Sequence, residues 1–145
     1  MAFRTTVYQN PIIYECRVVI MLATTWRGPF SLREVFDQNL GRDATVVFSG
    51  SVVLDHPAKT PALAPFEMAI PLDTPFPYKP GPFRNLLMEV RSDRLGTGEN
   101  DDPGIEKVED SQLGIVAAIG SFTDELTRGT RFPRFGLVTQ FVTTP

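Results

Sequence analysis

Residues 66–91, FEMAIPLDTPFPYKPGPFRNLLMEVR, contain two short apolar runs joined by a proline-rich crossing. Alternate positions of an extended chain share one face, so each run predicts a half-buried strand. The apolar faces consist of Phe66, Met68, Ile70 and Leu72 in the first run and of Leu86, Met88 and Val90 in the second. The opposite faces carry Glu67, Glu89 and Arg91. Five prolines between the runs fix φ and remove backbone donors, so the crossing is predicted to be extended, with neither helix nor strand ladder.

The same period of two predicts further strands along the chain. Residues 12–22 are apolar at every even position, which places Cys16 in the core. Shorter patterns predict strands at 3–8, 113–122 and 135–142, with an exposed loop at 92–110 and a polar turn at 123–134. Residues 44–54 continue the series, with Gly50 marking a bulge and with an inward face formed by Val46, Phe48, Val52 and Leu54.

One short helix is predicted near residues 31–40. Ser31 to Glu34 has the form of a capping box. Asn39 and Gly41 are predicted to take left-handed conformations at the helix end, and Asp43 to make a turn hydrogen bond. The apolar side chains spaced to cover one side of the helix are Leu32, Val35, Phe36 and Leu40.

Many strands, one helix and proline-rich crossings indicate an all-β protein. This combination favours an antiparallel, jelly-roll-like β-sandwich that forms a single domain over residues 1–145. A closed barrel is the alternative, because a sequence pattern does not show whether the sheet edges meet.

Charge and residue counts narrow the function classes. A formal net charge of −3, from 14 basic and 17 acidic residues, argues against a nucleic-acid partner and gives no basic footprint for an anionic membrane surface. One cysteine and one histidine exclude an internal disulfide framework and a multi-thiolate zinc site. No apolar run reaches the roughly 18 residues of a membrane-spanning helix, and the first residues lack a signal-peptide pattern.

A catalytic centre is not expected. Cys16 and His56 form the one conceivable nucleophilic pair, but a thiol on an apolar strand face behaves as a small hydrophobic group. Asp55 precedes His56 in an extended chain, so their side chains point to opposite faces and Asp55 does not orient His56.

A combination of short motifs is spread over two segments of the chain. The segments are 22–50, LATTWRGPFSLREVFDQNLGRDATVVFSG, and 65–92, PFEMAIPLDTPFPYKPGPFRNLLMEVRS. The matching positions are Phe36, Asn39, Gly41 and Asp43, then Val47, Phe48, Ser49 and Gly50, then Pro65, Phe66 and Glu67, then Pro75, Phe76 and Tyr78, and finally Asn85, Leu86, Leu87, Glu89 and Arg91. In this combination the chain resembles a group of uncharacterised secreted bacterial proteins that are often found with PEP-CTERM surface-sorting signals. It departs from the group's pattern at Lys79-Pro80 and Arg84-Asn85, which argues against an acidic role for that turn. The resemblance covers mainly residues 20–92 and implies a β-sandwich in an exported or cell-surface setting, without catalytic residues.

The acidic loop at 92–110 offers oxygen ligands of the kind that Ca²⁺ takes. The candidate ligands are Glu99, Asp101 and Asp102. The loop lacks the register of an EF-hand, so simple solvation of these carboxylates is the alternative.

Three aromatic residues are candidates for a binding surface. Trp26, beside Arg27, follows a predicted strand, whereas Phe76 and Tyr78 lie in the proline-rich crossing. Exposed rings stack on sugars or anchor a protein partner. The alternative role of each ring is to close the core at a corner of the sandwich.

We therefore expect a non-enzymatic structural or adhesive module of an exported or cell-surface bacterial protein, with an extracellular partner. One alternative is a carbohydrate-binding module that uses Trp26 or Tyr78, with or without calcium. Another is a self-assembling shell or filament subunit. The extracellular setting follows from the resemblance, since the chain itself shows no signal peptide.

Overall fold

The computed structural model describes residues 1–3, 12–56, 68–82, 84–92, 107–109, 117–120, 127–133, 135–137 and 139–141. Within these ranges the chain forms antiparallel strands and one short 3₁₀ helix, so the described fold is all-β, as predicted. The strands are β1 (Ala2–Phe3), β2 (Ile12–Thr25), β3 (Thr45–His56), β4 (Met68–Ala69), β5 (Asn85–Ser92), β6 (Lys107–Glu109), β7 (Ala117–Gly120), β8 (Thr130–Pro133), β9 (Phe135–Leu137) and β10 (Thr139–Gln140), and the helix is Phe36–Asn39.

The central sheet has the strand order β3-β2-β5. Its middle strand pairs with β3 from Ile12, opposite His56, to Leu22, opposite Thr45. On its other side β2 pairs with β5 up to Thr25, which lies opposite Asn85. The remaining strands form one three-stranded sheet of order β10-β1-β4 and the pairs β6-β9 and β7-β8.

The period-two predictions for β2 and β5 are confirmed. Between residues 15 and 22 the even positions of β2 are buried, including Cys16, while Glu15 and Arg17 are exposed. On β5 the side chains of Leu86, Met88 and Val90 pack against the same core. The core therefore lies on one face of the central sheet.

A bulge in β3 changes the predicted face of that strand. Phe48 pairs with Ile20 and Val46 pairs with Met21, so Val47 is an extra residue between the two pairs. Val47 is fully buried, whereas Val46 is 45% exposed, and the prediction that Val46 faces the core is wrong. The Val47 carbonyl accepts hydrogen bonds from the backbone N–H groups of Asp73 (2.8 Å) and Thr74 (3.4 Å), so the bulge anchors the proline-rich crossing.

Gly50 does not mark the bulge, contrary to the prediction. It lies in regular register opposite Val18. A Cβ atom at Gly50 would lie 3.2 Å from the ring of Phe48, two residues earlier on the same face of the strand. The glycine therefore leaves space for an aromatic ring on its own strand.

The crossing contains neither a helix nor a named strand within residues 70–82, as predicted. Ile70 is buried, and Leu72 and Phe76 pack against the core. The preceding strand is limited to Met68–Ala69 in the described residues, since Pro71 lacks the N–H needed to continue a ladder. Phe66 and Glu67 lie outside the described residues.

Two predicted connections contain strands. β6 lies within the predicted loop at 92–110, and β8 lies within the predicted turn at 123–134. Both have charged or proline residues that weaken a strand pattern, but their backbones pair with β9 and β7 respectively. Within the predicted strands at 113–122 and 135–142 the structure places β7 and the β9–β10 segment. Of the predicted strand at 3–8 only Phe3, in β1, belongs to the described residues.

The helix predicted near residues 31–40 is wrong except for the single turn Phe36–Asn39. Ser31 does not cap a helix, because its backbone N–H and its hydroxyl both bond to Gly28 in a tight turn. The residue before the 3₁₀ turn is Val35, which has an extended backbone and no side-chain cap.

Candidate binding surface

The segment between β2 and the bulged strand carries the most exposed large apolar side chains of the described residues. We call residues 26–40 the aromatic loop. In it Trp26 is 74% exposed and Phe30 is 64% exposed. Each ring offers a large apolar area that a bound partner could bury, which makes this segment a candidate binding surface.

The side chain of Arg27 contacts one face of the Trp26 ring. Its guanidinium carbon lies 5.1 Å from the centroid of the Trp26 ring, within the range of a cation–π contact. Its Nε donates to the carbonyl of Gln38 (2.8 Å), and its Nη1 donates to the carbonyl of Ser31 (3.3 Å). One face of the indole is therefore covered by a guanidinium that is itself held by the loop.

The backbone of Arg27 is attached to the central sheet. Its N–H donates to Oγ1 of Thr25 (3.2 Å), a buried side chain at the end of β2. Its carbonyl accepts a hydrogen bond from Nδ2 of Asn85 (3.1 Å), at the start of β5. The base of the aromatic loop is thus bonded to two neighbouring strands.

A tight turn presents Phe30. Residues 28–31 read Gly-Pro-Phe-Ser, and the N–H of Ser31 donates to the carbonyl of Gly28 (2.9 Å). Proline suits the second position of such a turn because its φ is already set. Nη1 of Arg131 donates to the carbonyl of Phe30 (3.1 Å), so the exposed ring projects from a backbone that is held on both sides.

Asn39 closes the loop from within. It is only 4% exposed, and its Oδ1 accepts a hydrogen bond from the N–H of Arg33 (2.7 Å). Its Nδ2 donates to the carbonyls of Arg33 (2.8 Å) and Val35 (3.2 Å). The side chain thus satisfies three backbone groups, which replaces the predicted role at a helix end.

Gly41 and Asp43 connect the end of the loop to Thr24. A Cβ atom at Gly41 would collide with the Thr24 carbonyl, so glycine is required by this close approach. The φ of Gly41 is outside the left-handed region, so the predicted left-handed conformation is wrong. Oδ1 of Asp43 accepts a hydrogen bond from the N–H of Thr24 (2.9 Å), on β2 and not in a local turn. Hydrogen bonds from Thr24 lower the pKa of Asp43 below its ordinary value, and the bond from the Thr24 side chain has the largest effect.

A segment distant in sequence clasps the aromatic loop. The N–H of Phe36 donates to the carbonyl of Thr127 (3.1 Å), and the N–H of Gly129 donates to the carbonyl of Glu34 (2.9 Å). Glu34 also forms an ion pair with Arg128, with Oε2 and Nη2 3.5 Å apart. Both side chains are well exposed, so this pair adds little stability, and the backbone bonds hold the segments together.

The clasp concentrates positive charge beside the aromatic rings. Residues 26–40 and 127–131 together contain four arginines and two carboxylates, a local formal charge of +2 in a chain whose total is −3. In the described residues, the Glu34–Arg128 contact is the one ion pair within this surface. The arginines are Arg27, Arg33, Arg128 and Arg131.

The other predicted aromatic residues are placed differently. Phe76 packs against the core, and Tyr78 is half-buried with its hydroxyl donating to the carbonyl of Arg84 (2.9 Å). Because Asn85 lies opposite Thr25, Tyr78 and Trp26 are at the same end of the central sheet. Sequence reasoning identified Trp26 but missed Phe30, for which the Gly-Pro pair of the turn was the available signal.

The remaining predicted sites are not brought together by the described residues. Glu99, Asp101 and Asp102 lie outside them, so the calcium site stays a prediction. No three His, Cys, Asp or Glu side chains in the described ranges are close enough to hold a metal ion. Over those same ranges, no helix has the length and apolar character that crossing a bilayer requires.

Comparison of the chain with protein-family models, with curated proteins and with solved structures finds no match.

Proposed function

We propose that the chain is a non-enzymatic adhesive module of an exported or cell-surface bacterial protein and that the aromatic loop is its binding surface. The observation that carries this proposal is that Trp26 and Phe30 are exposed and yet held in place. The backbone of Arg27, next to Trp26, is bonded to Thr25 and Asn85, and the carbonyl of Phe30 accepts a hydrogen bond from Arg131. A preorganised surface loses little conformational entropy when it binds, so rigidity of this kind favours recognition.

The fold that we propose for this module is a β-sandwich. Ile70 follows β4, Met1 precedes β1, and both side chains belong to the core that covers one face of the central sheet. The N–H of Ile70 donates to the carbonyl of Met1 (2.7 Å), which joins the two segments. Packing of a second sheet against the first is the arrangement that these contacts favour. The exported setting rests on the resemblance to the secreted bacterial proteins.

Retention on bacterial cell envelopes tests the adhesive function. We expect the purified protein to sediment with isolated envelopes and Trp26→Ala to lose most of this retention. Val53→Ala is the matched control, because Val53 is also strongly exposed (61%). It lies opposite Glu15, ten residues before Thr25 on β2, which places it about 30 Å from the loop. Equal retention of Trp26→Ala and Val53→Ala would contradict the proposal.

A carbohydrate-binding module is the second candidate, and the open face of Trp26 favours it. One face of the indole is covered by Arg27, so the other offers a flat apolar platform of the kind on which sugar rings stack. On a glycan array we expect specific binding that Trp26→Ala abolishes. Tyr78→Phe should bind as wild type does, because the Tyr78 hydroxyl is engaged with Arg84. Absence of binding to every glycan would remove this candidate.

Calcium remains part of this second candidate through Glu99, Asp101 and Asp102. Millimolar calcium should raise the melting temperature if these residues form a site of micromolar affinity, since a ligand at roughly 1,000 times its Kd stabilises the folded state by about 4 kcal/mol. An unchanged melting temperature would exclude such a site.

A further inference from the structure

We infer that the ligand of the aromatic loop is an acidic polysaccharide, one whose sugar rings carry carboxylate or sulfate groups. This inference rests on the proposed function, because it names the ligand class for the same surface. Three features of that surface support the inference: its positive local charge, the unused N–H donors of two arginines and the single open face of Trp26.

The charge of the surface is a product of folding. The arginines at 27 and 33 and those at 128 and 131 are about a hundred residues apart in sequence and become neighbours through the backbone bonds at Glu34 and Phe36. An acidic chain therefore presents a basic patch where its most exposed aromatic rings lie. Opposite charge on the ligand is the simplest complement to such a patch.

Two arginines of this surface have N–H donors that no contact among the described residues uses. Within the described residues, Arg27 and Arg131 bond to backbone carbonyls and to no carboxylate. A guanidinium has five N–H donors, and these contacts use two on Arg27 and one on Arg131. The others are of the kind that binds carboxylate or sulfate oxygens, with a geometry already fixed by the loop.

The covered face of Trp26 decides between kinds of anionic partner. Inserting this ring into an apolar pocket of a protein or into a bilayer would carry the Arg27 guanidinium with it, which is unfavourable. A sugar ring needs only the open face, and the guanidinium stays at the rim in water. The same guanidinium disfavours a cationic ligand on the indole by charge repulsion.

The one tryptophan of the chain makes the test direct, because all indole fluorescence comes from Trp26. We would titrate the protein with polygalacturonate and, as a matched probe, with its methyl ester, which keeps the backbone but removes the charge. We expect polygalacturonate to change the Trp26 emission. The affinity read from this change should weaken at least tenfold in about 0.5 M NaCl, because salt screens surface charges. Binding at least tenfold weaker to the ester supports the inference, and equal binding to both overturns it. Tighter binding to polyglutamate or to phosphatidylglycerol vesicles than to polygalacturonate also overturns it.

Two variants separate a specific contact from general charge. Arg131→Gln removes one positive charge and should weaken binding of polygalacturonate about tenfold. Arg17→Gln removes the same charge on β2, opposite Ser51 and about 26 Å along the strand from Thr25, and should change affinity less than about twofold. Equal losses in the two variants would overturn the inference. Envelope retention that depends on Trp26 without any binding of polygalacturonate would overturn this inference and leave the proposed function standing, whereas loss of both would remove both.

Discussion

Replacing Asn39 with alanine removes the side chain that holds the aromatic loop from inside. Three hydrogen bonds disappear, to one N–H and two carbonyls of residues 33 and 35. Each such bond contributes about 0.5–1.5 kcal/mol, and the buried position slows replacement by water. We expect the free energy of unfolding to fall by about 2–3 kcal/mol, from a typical total of about 5–15 kcal/mol. The melting temperature should fall by about 6–12 °C.

Urea unfolding followed by circular dichroism and by Trp26 fluorescence measures this loss. Gln38→Ala is the matched control, because Gln38 is an exposed neighbouring amide whose side chain makes no hydrogen bond to the described residues. Its effect should stay within about 0.5 kcal/mol. Asn39→Asp keeps the size and the acceptor but loses both donors, so it should be clearly destabilised as well. If Asn39→Ala loses no more stability than Gln38→Ala, the role given to Asn39 is wrong.

Three further changes test other contacts. Gly41→Ala places a Cβ atom against a backbone carbonyl and should lower the free energy of unfolding by about 2 kcal/mol in the same urea assay. The control Gly28→Ala has open space around its Cβ and should change that free energy by less than about 0.5 kcal/mol. Equal effects of the two variants would count against the close approach at Gly41. Folding lowers the pKa of Asp43, so its contribution to stability is present above the unfolded pKa of about 3.9 and is lost as pH falls through the folded pKa. The difference in free energy of unfolding between wild type and Asp43→Asn should therefore shrink in acid. A difference that does not change with pH would contradict this role of Asp43. Arg91 and Glu89 form a contact of 2.6 Å, and a double-mutant cycle should give a coupling of about 0.5–1 kcal/mol that weakens in about 1 M salt, while zero coupling would mean that the pair is not stabilising.

The central sheet is predictable from sequence because burial on one face imposes a period of two. On β2 the buried positions follow that period from Cys16 to Leu22, and Ala23 and Thr25 then depart from it. On β5 the side chains of Leu86, Met88 and Val90 pack against the same core. Both strands are also long enough for the alternation to be distinct. The short strands β6 and β8 are not predictable in this way, because three or four residues are too few to show a period of two.

The bulge and the absent helix show where local patterns fail. Val46 has the apolar character of a core residue, but one extra residue at Val47 turns it outward, and only the partner strand reveals that shift. The Ser31–Glu34 pattern matches a capping box. Ser31 instead bonds to Gly28, and Glu34 pairs through its backbone with Gly129. Contacts with distant residues override local helix signals here.

One part of the candidate surface, Trp26, is predictable from sequence, whereas the Arg27 contact and the basic patch are not. Trp26 stands out because tryptophan after a strand end is large and rarely fully enclosed. The position of Arg27 over its ring depends on the carbonyls of Gln38 and Ser31, which a linear sequence does not place. The basic patch is hidden as well, since the net charge of −3 averages over the regions that folding separates.

The central claim is that Trp26 is exposed and rigid at the same time, and time-resolved anisotropy of its fluorescence tests this most directly. Exposed side chains usually change rotamer in picoseconds to nanoseconds, which gives a fast component in the decay. We predict that the wild-type decay follows the tumbling of the whole protein and that a fast component appears in Arg27→Ala, where the guanidinium contact is lost. A dominant fast component in the wild-type protein would contradict the claim.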